Sequence, residues 1–295
     1  MHQKITANIV ADSINENGCR ITTFIVQFPR IVLAEFNTHR MLSKNSASSR
    51  ARPFSLMLKE ANENAFVPVR WMKKHSGMQG KSYMNEEESR KAEQAWLAAR
   101  DAAVSAAKLL DELNVSKQIV NRTLEPYLMH QVIVTGTDFE NFFALRAHED
   151  AEIHIGELAQ KMLSLYNDSK PKFLKAGEWH IPFGDQFDSE KLTKTTKDTT
   201  NDIETAKLKI ACARCARLSY KNFGSEEIYD YSADIRLFHA LVDSNHMSPL
   251  EHVACSMSPE EWQKSANGYC GNFRGYVQYR KMFPNENRSD QRVKK

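Results

Sequence analysis

Residues 35–53 read Glu35-Phe-Asn-Thr-His39-Arg40-Met-Leu-Ser43-Lys-Asn45-Ser46-Ala-Ser48-Ser49-Arg50-Ala-Arg52-Pro53, directly after the apolar run Ile21 to Phe36. An alternating or buried element therefore delivers its end into a loop built almost entirely from hydrogen-bond donors. Such a loop suits anions. Arginine forks match phosphate or carboxylate oxygens with paired charge-assisted bonds, and short hydroxyls and free backbone N–H groups fill the remaining lone pairs. Composition alone leaves two plainer readings open: a mobile Ser/Arg loop that solvates the surface, and a basic patch for nucleic acid.

Working outward, the 295-residue chain is long enough for one large domain or two small ones. Apolar residues make up 41% and charged residues 26%, with no run near the roughly 18 to 20 apolar residues of a membrane span. The first residues, Met1 to Thr6, carry no apolar signal core, so no membrane partner and a cytoplasmic location are expected. A net charge of +3 is too small and too evenly spread to argue for a nucleic-acid partner, so basic character is local to a site. The five cysteines, Cys19, Cys212, Cys215, Cys255 and Cys270, are an odd set that reads as free thiols. Cys212, Cys215, Cys255 and Cys270 are the one set worth weighing for zinc. The wide gap between the last two argues against it, and no metal is expected.

Upstream of the loop, Lys4 to Val10 and Arg20 to Phe28 read as strands joined by the turn-rich Asn15 to Gly18, and Ile31 to Phe36 starts a helix or a last strand segment. Downstream, residues 53–85 have no clear period and read as a flap or insertion. Ala92, Trp96, Ala99, Ala103, Ala106, Leu110 and Leu113 repeat near 3.6 residues and predict a helix over 86–113. Ser116 caps a shorter helix, Lys117 to Leu124, and Asp138 caps a third, Phe139 to Leu165. The Thr-rich, charge-rich residues 184–206 read as a polar linker. Beyond it come a helix or strand from Leu208 to Tyr220, a helix from Ser232 to Asp243, a turn over 244–252, and an Arg/aromatic/amide cluster, Asn272 to Arg280.

His39-Arg40, seven residues and then Ser48, with Ser43, Asn45 and Arg50 in place, resembles the signature of the flavin-dependent thymidylate synthases, Arg-His-Arg, seven residues, Ser. Thr38 stands where that family has its first Arg, Ser46 where it usually has Glu, and Glu35 where it usually has Gln. Arg122-x-x-x-Pro126 is similar to the Arg and Pro after the family's long helix, and Asn141-Phe-Phe-Ala-Leu-Arg146 with Ala151-Glu-x-x-Ile155 to its Asn-Phe-x-x-Leu-Arg segment. Ala216-Arg-Leu-Ser-Tyr220 and His246-Met-Ser-Pro-Leu-Glu-His252 look like motifs that belong at the family's N-terminus, but here they follow the linker. The resemblance therefore implies an α+β fold, a central antiparallel sheet with long helices in the ThyX-like arrangement, with permuted connectivity. Residues 1–183 would be the flavin- and nucleotide-binding core, 184–206 a linker joining the old termini, and 207–295 the segment that completes the same domain.

Carried over position by position, the resemblance assigns His39, Arg40 and Asn45 to FAD, with Asn141, His246 and Ser248 as further contacts. Ser48, Arg50, Arg122 and Arg146 would hold the nucleotide, and Arg146, Ser48 and His246 lie closest to the chemistry. It implies reductive methylation of dUMP at C5 with methylenetetrahydrofolate and NADPH as co-substrates, in a homotetramer whose pocket is shared between subunits. The residue types suit that chemistry, because a fixed cation near a pyrimidine carbonyl stabilises developing negative charge without losing its proton. Ser48 has no evident general base except His39, so a binding role is preferred to a nucleophilic one. The departures place Glu35 beside the pocket, and Gln278 and Arg280 are expected to restore the missing contacts. A carboxylate there would otherwise accept from the amino group of a different pyrimidine. The alternatives are a flavin-dependent methylase or hydroxymethylase of another pyrimidine nucleotide, or a non-catalytic zinc or nucleic-acid-binding protein.

Overall fold

A computed structural model describes residues 4–77, 80, 82–199, 202–219, 230–284 and 286–287. Met78 of the proposed flap and Tyr220 of the Ala-Arg-x-Ser motif lie outside them. The first hairpin pairs β1 (Thr6–Asn15) with β2 (Arg20–Pro29) around Gly18, whose φ of +72° is the left-handed conformation a tight turn needs. β1 runs five residues past the expected Val10, because the polar Asp12 is still held in the ladder by Arg20 and Thr22 across the hairpin. A 3₁₀ turn (Arg30–Val32) leads into α1 (Leu33–Asn37), and then comes β3 (Ser43–Ser46), which begins the donor loop.

Residues 53–85 are less irregular than their composition implies. They hold α2 (Phe54–Glu63), seated by buried Met57 and Ala61, and a bridge between Met72 and Tyr83. α3 (Glu86–Glu112) starts in a capping box between Asn85 and Glu88. α4 (Lys117–Val120) is capped by Ser116 as expected, but the helix stops early and continues as a 3₁₀ turn over Asn121–Thr123. β4 (Met129–Gly136) follows. The single helix expected over 139–165 is two, α5 (Glu140–Arg146) and α6 (Ile153–Asp168), because Glu152 caps a new N-terminus by accepting from the amides of His154 and Ile155. Asp138 caps neither helix; its carboxylate accepts from Thr137 and Tyr269.

After β5 (Lys172–Leu174) and β6 (Trp179–His180), residues 184–206 depart from the linker reading. They form a 3₁₀ turn (Gly184–Gln186), α7 (Ser189–Thr199) and the start of α8 (Ile203–Ala216), with residues 200 and 201 outside the described set. Within the stretch Leu192 is only 1% exposed and packs with Ala206, Ile210, Tyr231 and Ile235, and Phe187 packs beside the same cluster. So few apolar contacts in so polar a stretch are concealed by its low mean hydropathy. Leu192→Ala is expected to lower unfolding free energy by about 2–5 kcal/mol in a urea titration, whereas a true linker would show no change. The chain ends through α9 (Tyr231–Asp243), β7 (Ala254–Ser256), α10 (Pro259–Lys264), β8 (Tyr269–Cys270), β9 (Phe273–Arg274) and β10 (Tyr276–Gln278).

The main sheet has the order β3-β4-β2-β1-β5, antiparallel except for the short parallel β1–β5 pair. Phe24, Val26, Phe28, Val132 and Val134 face one way, onto α5 and α6. Ile25 and Ile133 face the other way and meet Phe183, Cys215 and Leu218. Burial on both faces explains the unbroken apolar middles of β2, Phe24 to Val26, and of β4, Val132 to Val134. The second face also carries a buried polar chain, in which Ser13 Oγ meets His180 Nδ1 at 2.9 Å and His180 Nε2 meets Thr23 Oγ1 at 2.8 Å. Thr23 and Thr135 hydroxyls lie 2.7 Å apart, and Thr135 reaches His252 Nδ1 at 2.8 Å. The last of these four side-chain bonds ties the segment after residue 230 to β4, and the two made by His180 tie β6 to β1 and β2.

Candidate functional site

α1 ends at Asn37, and the chain turns so that the His39 ring packs edge-on against Phe142 of α5, with centroids 5.0 Å apart. Arg146 is the last residue of α5, half-buried, and its Nε–H donates to His39 Nε2 at 3.0 Å. That acceptor role fixes His39 as the neutral imidazole with its proton on Nδ1. Burial, with the adjacent charges of Arg146 and Lys44, lowers the His39 pKa to about 4, so this residue adds no charge to the loop near neutrality. Lys44 donates to the His39 carbonyl at 2.5 Å, and burial brings its own pKa down to about 8. Thr38 stands 3.5 Å from Arg146 Nη2. Half-buried Glu35 has a buried Oε2 without a hydrogen-bond partner among the described residues.

At the other end of β3, residues 47–53 are held from behind by Asn121, which is fully buried and donates to the carbonyls of Ser49 (2.7 Å) and Arg52 (3.0 Å). The Arg50 amide is 3.3 Å from Ser48 Oγ, and the Arg50 side chain donates to Gln118 at 3.1 Å. Arg122, next in sequence to Asn121, is exposed beside this loop. The arginines thus form two groups, Arg146 with His39 at one end of β3 and Arg50 with Arg122 at the other. Four strand residues, roughly 13 Å, lie between. Among the described residues no hydrogen bond or ion pair joins the two groups.

Between the groups, Ser43 Oγ accepts from Gln278 Nε2 at 3.1 Å and from Asn272 Nδ2 at 3.0 Å, and Asn272 also donates to the Met41 carbonyl. The C-terminal cluster therefore lies on the motif strand. Arg280 does something else. Its guanidinium is engaged by Glu251 and by Glu286 and fastens the turn Ser248–Glu251. Beside these residues an open depression of about 450 Å³ is lined by Arg40, Ser43, Lys44, Glu251 and Asn272. Arg40, Asn141, His246 and Ser248 are all exposed, and Asn45 is half-buried in β3. Asn121, Gln118, Lys44 and Asn272 were not foreseen. Asn121, Gln118 and Asn272 each act on a segment far away in sequence, and Lys44 acts on the His39 carbonyl five residues back, where no local pattern marks it.

Cys212 and Cys215 are both buried but enter different packing clusters, Cys212 with Phe238 and Leu250 and Cys215 with Ile25 and Ile133. The zinc set is therefore not assembled, and among the described residues no three His, Cys, Asp or Glu side chains are placed to share a metal. No described helix is long and apolar enough to cross a membrane.

Among known proteins, two crystal structures of the UMP/dUMP methylase PolB from Streptomyces cacaoi, bound with 5-Br UMP and 5-Br dUMP, are similar to the chain at 15% identity with TM-scores of 0.48 and 0.47. Each match covers 56% of this chain, and 89% and 91% of the methylase chains. No curated protein matches the chain. The family model described as thymidylate synthase complementing protein matches residues 18–172, which include β2, the donor loop, Arg122, α5 and α6 and amount to more than half of the sequence. With the motif loop, its Arg146 anchor and strands β2, β3 and β4 of the central sheet inside that match, the chain belongs to the thymidylate synthase complementing protein family.

Proposed function

We propose that the protein is a flavin-dependent synthase that methylates C5 of a pyrimidine deoxynucleotide, dUMP in the first instance, with methylenetetrahydrofolate as one-carbon donor and NADPH as hydride source. Family membership supports the reaction class, and the single observation that carries the site is the Arg146–His39 pair at 3.0 Å. It sets a permanent cation beside a neutral imidazole in the motif loop. Arg146 is suited to hold a pyrimidine carbonyl on which negative charge develops, and Arg50 and Arg122 to hold the phosphate.

The donor set fits a flavin dinucleotide. The depression beside Arg40, Ser43, Lys44 and Asn272 offers cations with hydroxyl and amide donors, the groups a pyrophosphate needs. His39, Arg40 and Asn45, with Asn141, His246 and Ser248, would hold it, and the group when bound supplies hydride transfer. The separation of the two arginine groups within one chain fits a homotetramer whose pockets are completed by neighbouring subunits. The segment after residue 207, laid back on the sheet through His252, is the arrangement a permuted family member would have.

The unpartnered Glu35 Oε2 favours one second reading, in which the base carries an amino group as cytosine does and that group donates to the carboxylate. Incubating the flavin-loaded protein with dUMP or dCMP, methylenetetrahydrofolate and NADPH, and weighing the products, decides between them. A gain of one methyl on dUMP alone is the expected result. Modification of dCMP alone supports the second reading, and a colourless protein that modifies neither removes both.

A further inference from the structure

A second cavity lies away from the Arg146 side of the loop. A volume of about 540 Å³, ample for a small ligand, lies where β3 gives way to residues 47–53 at the end of the sheet. Neighbouring residues of the loop face opposite ways. Ala47, Ser49 and Arg52 line this cavity, whereas Arg50 turns away to Gln118. Arg30 Nε contacts Glu125 at 3.0 Å, and another of its N–H groups lies 2.8 Å from Nδ1 of the buried His130. Arg52 contacts Glu60 at 2.7 Å.

Each carboxylate takes one arm of its arginine, and a guanidinium has five N–H donors. Burial, with the charges of Arg30 and then Arg52, holds His130 near 3, so it stays neutral and both guanidinium charges bear on one point. Glu125 keeps a second, buried oxygen without a hydrogen-bond partner among the described residues. Gln27 and Gln131, register partners on adjacent strands, bring two amides to the wall, and Met57 and Leu128 contribute apolar surface. Paired guanidiniums suit a phosphate. Two amides, each donor and acceptor, with an unfilled carboxylate oxygen, suit the hydrogen-bonding edge of a planar base.

We propose that this cavity is a second ligand site, for a nucleoside monophosphate, on the rear of the motif loop and separate from the substrate position. A ligand there contacts the backs of the residues whose neighbours include Ser48 and Arg50, so its binding and that of the substrate change each other's affinity by the same factor. Only this coupling rests on the reading of the substrate site given above; the binding itself does not.

The test is calorimetric titration of the full-length protein with thymidine monophosphate and, separately, inorganic phosphate, on wild type, Arg52→Gln, Gln131→Leu, Lys59→Glu and Arg146→Gln. The expected result is a nucleotide-binding event at least tenfold weaker in the Arg52, Gln131 and Lys59 variants and retained in Arg146→Gln, with phosphate binding more weakly than the nucleotide. Lys59 also lines the cavity and is two-thirds exposed on α2, so its replacement keeps the test valid should Arg52→Gln or Gln131→Leu fail to fold. Unchanged affinity in the cavity variants, or a single event lost with Arg146, overturns the proposal. Phosphate binding as tightly as nucleotide overturns the assignment of a base. Since the titration uses no folate or reductant, failure of the methylation assay leaves its outcome intact.

Discussion

Replacing Arg146 by glutamine is expected to lower the rate of pyrimidine methylation about 10²–10³-fold, the usual effect of losing one preorganised donor at a developing charge. The thermal midpoint should hardly move. Arg146 is half-buried at a helix end, and its Nε–H bond to His39 can be replaced in part by the glutamine amide. A second signature separates loss of charge from loss of packing. His39 is held near 4 partly by the Arg146 charge, so the variant should raise the imidazole pKa, which nuclear magnetic resonance of the ring protons would follow. A variant that keeps wild-type turnover with a shifted His39 would remove Arg146 from the chemistry and leave it as an anchor of the loop.

Acid should unfold the protein at an unusually mild pH. His130, His180 and His252 are each buried with pKa values brought to about 3, against an ordinary 6.5, chiefly by desolvation. Below pH 6.5 the unfolded chain takes up protons that the folded chain refuses. The stability is therefore complete above 6.5 and falls as the pH drops toward 3. At pH 5 each imidazole has cost about 2 kcal/mol, and the three together about 6 kcal/mol, a large part of a typical domain's total. Urea midpoints measured at pH 7.5 and pH 5 check this. Carboxylates such as Glu152, whose pKa is lowered mainly by its bonds to His154 against an opposing desolvation, respond only at lower pH, so a flat profile over this interval would contradict the assignment.

Much of the framework was legible from residue patterns because local rules and tertiary packing agree there. β2 reads as a strand because its alternate residues fill two cores, α3 carries a capping box and an Ala-rich repeat, and α9 matches its expected bounds within a residue. The reading went astray where a distant residue decides. The apolar period runs on either side of His148 to Asp150, so the break between α5 and α6 is visible only through the capping carboxylate of Glu152. α7 was hidden because one leucine docks eleven residues. At the site, the donor loop stood out by residue type and Arg146 by the family resemblance, and the structure brings the two into contact. The buried Asn121 that shapes the loop, and the carboxylates that occupy Arg280, carry no sequence signal, because nothing in a side chain's identity names its partner sixty or more positions away or its neighbour across a turn.

β3 is also the outer strand of the five-stranded sheet. An outer strand offers unpaired backbone groups to any passing polypeptide, and long flat ones invite stacking between molecules. Here the strand is only four residues long, and Asn272 and Gln278 close over Ser43 while Asn272 also takes the Met41 carbonyl. The amides that order the recognition strand thereby keep the sheet from growing, so solubility and ligand recognition at this border rest on the same few side chains and neither can drift without the other.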